Sequence, residues 1–215
     1  MKNQINESHR TAQSHTATMV SEGTILYKVY DGKFKSHSGF LFGRTLHRIA
    51  TTDTGDTMQQ GDTVVLDYGG NVCSYDWQSI SRCPGGDHKP TTSVEDFCTF
   101  YETLIRRIRT VGGVPVLLSL TPICERLFFT HITNGRNHEH ILRWLGGSTC
   151  FIRDLQQDYS NALLSLAERN AVPMIDIAPL VEQHHTPETL YEPDGIHLND
   201  KGHLLIVDAI KKFYF

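Results

Sequence analysis

The chain has 215 residues, 39% hydrophobic and 20% charged, with a net charge of −4. That composition gives one domain with a full core and excludes a disordered chain. It also excludes a general nucleic-acid binder, which needs a basic surface, and no apolar run approaches the ~18 residues of a membrane span.

Residues 1–22 are polar and rich in Ser, Thr, His and Gln, and they predict a loose arm or a weak helix ahead of a domain over 23–215. They hold no apolar signal-peptide core, and the five cysteines form no C-x-x-C pair, so the expected location is the cytoplasm with free thiols. Thr24 to Tyr30 is β-branched and aromatic, and it ends at Asp31-Gly32, so it predicts a strand and a turn. A short amphipathic stretch follows around 40–49. Thr63-Val64-Val65-Leu66-Asp67-Tyr68 stops at Gly69-Gly70, the pattern of a strand buried on both faces of a parallel sheet. A polar loop is expected over 71–92. Ser93 then caps a helix to about Thr110, with Phe97, Phe100, Leu104, Ile105 and Ile108 on one face. Val114 to Leu120 predicts the next buried strand. The segment 123–147 is aromatic and irregular, as expected of a cap over a site. A long helix is predicted over 150–169, a strand over 172–177, and a last helix from about His203 to Phe213 behind Asn199 or Asp200.

Strand and helix alternate, which implies an α/β fold with a parallel sheet covered on both faces. Ligands in such folds bind outside the carboxyl ends of the strands. Gly70-Asn71, Thr121-Pro122 and the loop after Ile177 all fall at that edge.

Asp194-Gly195-Ile196-His197 is the sharpest chemical feature. An Asp three residues before a His can hold one imidazole nitrogen and leave the other as a general base near neutral pH. The twelve histidines also raise a metal-dependent hydrolase. His138-Glu139-His140, His184-His185 and His131 lack ligand spacing, however, so no metal site is expected. Arg126, Arg136 and Arg143 are charges that could meet an anionic group.

The run D-G-I-H-L-N-D-K-G-H resembles the last block of the SGNH (GDSL) hydrolase superfamily. V-V-L-D-Y-G-G-N and Ser36-His37-Ser38-Gly39 resemble two earlier blocks, in the family's order. The resemblance implies a three-layer α/β/α sandwich with a mainly parallel, flavodoxin-like sheet. It also implies ester hydrolysis by a Ser-His-Asp mechanism without a cofactor, on a small-molecule ester. His197 would be the base, Asp194 its orienting carboxylate, and Asn71 and Gly39 the oxyanion donors. Trp77, in C-S-Y-D-W, would line the pocket or cover the sheet edge. The sequence departs from the family at the nucleophile, because no Gly-Asp-Ser occurs. Asn6-Glu7-Ser8 is its faint echo, which makes Ser8 the candidate. Ser21-Glu22-Gly23 lacks both the preceding Asp and the family's spacing. Three explanations stand side by side: a shortened copy, a silent ligand-binding member, or a shifted serine. Neither the substrate nor the oligomeric state is legible.

Overall fold

The computed structural model describes residues 17–21, 26–30, 33–37, 63–67, 69 and 74–214. Its centre is a six-stranded sheet in the order β3-β2-β1-β4-β5-β6. Strands β1 (Ala17–Ser21), β4 (Thr63–Asp67), β5 (Val114–Leu118) and β6 (Met174–Ile175) run parallel. Strands β2 (Leu26–Tyr30) and β3 (Lys33–His37) add an antiparallel hairpin on the other side of β1. In sequence, Asp31-Gly32 stands between them, the residue pair that tight hairpins favour.

The first strand corrects one expectation. Ala17–Ser21 belongs to the segment expected as a polar arm, yet it lies between β2 and β4 and pairs with both. Its few apolar residues give little strand signal alone. Two flanking strands supply the backbone partners, and pairing of that kind outweighs local propensity.

Helices cover both faces of the sheet. Strand side chains alternate, so Val64, Leu66 and Leu117 enter one core while Val65, Val116 and Leu118 enter the other. The first core is shared with α2 (Val94–Thr110) and α5 (Phe151–Arg169), the second with α6 (Ala178–Glu182) and α7 (Asp200–Tyr214). This is the expected three-layer sandwich.

Helix α2 begins as the sequence predicts. Ser93 Oγ accepts from the Asp96 N–H at 3.0 Å, and Glu95 and Asp96 meet the positive end of the helix. It buries Phe97, Phe100, Tyr101, Leu104, Ile105 and Ile108. Each such side chain contributes roughly 1.5–3 kcal/mol of burial. At its end Gly112 adopts φ +83°, and the Gly113 N–H returns to Ile108 C=O at 2.9 Å. Across the layer, Tyr159 of α5 donates its hydroxyl to Thr92 C=O at 2.5 Å.

Three short helices replace expected loops. Helix α1 (Trp77–Arg82) forms within 71–92, capped by Asp76. Helices α3 (Glu125–Thr133) and α4 (His138–Trp144) form within 123–147. Six to nine residues show too little periodicity to be read from sequence; α1 and α4 are held by burial and by the Asp76 and Asn137 caps, α3 by burial of Phe128, Phe129 and Ile132. Ser81 joins α1 to α4: its Oγ accepts from the Asn137 N–H at 2.8 Å, and its C=O contacts His140 Nδ1 at 2.8 Å. Strand β6 is shorter than expected, keeping two paired residues, although Pro173 C=O still accepts from the Leu117 N–H.

Candidate active site

The carboxyl edge of the sheet is built by turns that only certain residues allow. Just after β4, Gly69 has φ +134°. A Cβ there would collide with the Leu120 side chain, so the loops after β4 and β5 touch at a glycine. After β5, Ser119 Oγ accepts from the Ile177 and Ala178 N–H groups at 2.8 and 3.2 Å, tying that edge to the end of β6. Gln156 of α5 donates to Thr121 C=O at 3.0 Å, and the Tyr191 hydroxyl donates to Pro122 C=O. Burial pushes the Tyr191 phenol well above its ordinary pKa, so it stays protonated as a donor.

The D-x-x-H loop lies against this edge. A 3₁₀ turn (Pro187–Leu190) leads into a single antiparallel bridge between Tyr191 and Leu198. The Glu192 N–H donates to His197 C=O at 2.7 Å, and the Gly195 N–H to Glu192 C=O at 3.1 Å. Inside this closed loop Asp194 Oδ1 accepts from the Ile196 N–H at 2.9 Å and the His197 N–H at 3.0 Å. Its other oxygen, Oδ2, lies 2.6 Å from His197 Nδ1. The carboxylate is thus oriented by backbone before it meets the imidazole. Burial alone would push the Asp194 carboxyl up. Hydrogen bonds from the His197 side chain, the His197 backbone and the Ile196 backbone outweigh it and hold the group below its usual range.

Gly195 makes the placement possible. Its φ is +74°, and its Cα rests on the first turn of α3. A Cβ would lie 2.8 Å from Cys124 O, 2.9 Å from Leu127 Cβ and closer still to Phe128 N. The Cys124 N–H donates to Gly195 C=O at 2.9 Å. The His197 side chain keeps 41% of its surface exposed, against 24% for Asp194. A partly open imidazole on a shielded carboxylate is an arrangement suited to proton transfer. His203, one turn into α7, is pushed below the ordinary imidazole range by burial, which outweighs the nearby Asp200 carboxylate.

Of the residues expected at the site, the described structure brings Asp194 and His197 together. Trp77 is 7% exposed and packs edge-on against Phe128 and Trp144, with ring centroids 5.8 and 5.7 Å away. The backbone of that same Phe128 underlies Gly195, so Trp77 supports the floor beneath the loop. Ser8, Gly39 and Asn71 lie outside the described residues. Among the charges singled out by sequence, Arg126 pairs with Glu188 through two nitrogens, and Arg136 donates to Ile132 C=O. His184 Nδ1 accepts from the Thr186 N–H, and His138 stacks edge-on against Phe129.

The sequence model of the GDSL-like Lipase/Acylhydrolase family matches residues 35–205. The chain therefore belongs to the GDSL-like lipase/acylhydrolase family, a class of hydrolases with the α/β sandwich described above. Solved structures agree on the fold. A candidate acylhydrolase from Bacteroides fragilis superposes with a TM-score of 0.56 at 12% identity, covering 94% of this chain and 87% of that one. The lipase/acylhydrolase of Enterococcus faecalis gives 0.53 at 14% identity, covering 81% and 70%. An alpha/beta hydrolase from the Lake Arreo metagenome gives 0.52 at 18% identity, covering 82% and 70%. No curated protein matches the chain by sequence.

Proposed function

We propose that this chain hydrolyses a small ester by acyl transfer at the Asp194–His197 pair. The observation that carries the proposal is the 2.6 Å contact of Asp194 Oδ2 with His197 Nδ1. A carboxylate fixed in this way keeps the proton on Nδ1 and leaves Nε2 to accept a proton from a hydroxyl nucleophile. It then stabilises the imidazolium that forms. The alkoxide attacks the ester carbonyl, and His197 returns the proton to the leaving alcohol. Water repeats the sequence on the acyl-enzyme. Asn71 and Gly39 are the proposed oxyanion donors, and each such donor typically contributes about 3 kcal/mol. The chemistry asks for no metal or organic cofactor.

Two serines compete for the nucleophile. Ser8 is the position that sequence suggests. The topology favours Ser21, the last residue of the parallel strand β1, in register with Asp67 at the end of β4. Active-site residues of such sheets stand at carboxyl ends where the strand order turns, and β1 is the strand at which parallel pairing gives way to antiparallel.

Hydrolysis of p-nitrophenyl acetate and butyrate by wild type and His197→Ala tests the proposal. Equal rates would sink it. A second reading, a silent ligand-binding domain, is favoured by the missing Gly-Asp-Ser. A fluorophosphonate adduct mapped to Ser21 or Ser8 removes that reading and assigns the nucleophile.

A further inference from the structure

We propose that Asn199 is the positioning residue of the Asp194–His197 pair, clasping both ends of the loop that carries it. This inference rests on the proposed role of His197 and extends it to a residue that the sequence offers only as a helix cap.

Every polar group of Asn199 is engaged. Its backbone N–H donates to Leu190 C=O at 2.9 Å. Its side-chain Nδ2 donates to Thr189 C=O at 2.9 Å and to Tyr191 C=O at 3.1 Å. One residue thus holds three successive carbonyls of the incoming strap. On the outgoing side Oδ1 accepts from the Lys201 and Gly202 N–H groups at 3.0 and 3.3 Å, capping α7. Its C=O accepts from the His203 N–H at 2.9 Å, the first turn of that helix.

The loop 192–197 is therefore closed by a clamp on a rigid helix end. Gly202 brings that helix close to the strap, since a Cβ there would lie 2.5 Å from Leu190 O and 2.8 Å from Leu198 Cβ. The strap continues into Tyr191, whose hydroxyl holds Pro122 C=O in the loop after β5. Asn199 so references the dyad to both α7 and β5. A side chain that caps through its oxygen and clasps through its nitrogen needs both an acceptor and two donors, and an amide supplies them. Aspartate supplies only the acceptor, and it caps helices as well as asparagine does.

Asn199→Asp separates the two roles, and Asn199→Ser is a second variant that keeps a capping oxygen. The readout is the tautomer of His197, from long-range ¹H–¹⁵N correlations assigned with His197→Gln. The wild type is expected to hold His197 as the Nδ1–H tautomer. The variants, folded by circular dichroism, are expected to show a mixture of both tautomers. Their kcat on p-nitrophenyl butyrate is expected to fall by about ten- to a hundredfold, the scale of a misplaced catalytic group, with KM within about twofold. Loss of the pure tautomer without any esterase activity in the wild type would uphold the clasp and end the esterase reading. A pure Nδ1–H tautomer in either folded variant, or its absence in the wild type, would overturn the inference. If neither variant folds, Asn199 is a folding determinant and the positioning role is withdrawn.

Discussion

Gly195→Ala is the perturbation whose cost can be worked most directly. Two terms act on it. An alanine at φ +74° occupies the left-handed region, at a cost of about 1–2 kcal/mol. The new methyl also meets Phe128 N, Cys124 O and Leu127 Cβ, all within 3.0 Å, and two of those are backbone atoms that cannot swing away. Overpacking of this kind costs about 1–3 kcal/mol. The sum is about 2–5 kcal/mol, which for a chain of this length lowers Tm by roughly 4–20 °C. Gly135→Ala is the internal control, because its φ is +69° but nothing lies within 4 Å of a Cβ there. It carries the conformational term alone. Thermal unfolding followed by circular dichroism measures both. Gly195→Ala should melt several degrees below Gly135→Ala. Equal melting temperatures would refute the claim that the D-x-x-H loop is seated on the first turn of α3.

Further outcomes follow from other contacts. The Asp194 carboxyl is held below its ordinary value, so its ionised form stabilises the fold. That contribution is complete above the unfolded carboxyl value of about 4 and is lost as pH falls through the folded value. Asp194→Asn should flatten the acid limb of urea midpoints measured below about pH 4 and leave their slope above pH 5 unchanged. Ser81→Ala removes the 2.8 Å acceptor of the Asn137 N–H, at a cost of about 0.5–1.5 kcal/mol. A wild-type urea midpoint in that variant would show that Ser81 does not fasten α4 to α1.

The sequence discloses the elements that carry their own pattern. Helices α2 and α5 and strands β4 and β5 combine an apolar period with a cap or a glycine stop, so local residues define them. Strand β1 is different: Ala17-Thr18-Met19-Val20-Ser21 becomes a strand through partners at 26–29 and 63–67. Long-range pairing of that kind leaves no local mark. Helices α1, α3 and α4 are too short for periodicity, and the fastening of α1 to α4 depends on Ser81 lying beside Asn137 and His140.

At the site, Asp194 and His197 are legible because a single turn brings them together. The seat of Gly195 on α3 and the clasp of Asn199 are not, since both depend on segments distant in sequence or folded back on the loop. A glycine inside D-x-x-H and an asparagine two residues after the His are the marks that point to them.

The most direct test is the rate of p-nitrophenyl butyrate hydrolysis by wild type and His197→Ala, with the fluorophosphonate adduct located by mass spectrometry. Acyl transfer at this pair predicts a drop of at least about a hundredfold on removing the imidazole, the scale seen when a catalytic base is lost. It also predicts a serine adduct in the wild type that His197→Ala fails to form. Undiminished hydrolysis or labelling in His197→Ala would contradict it.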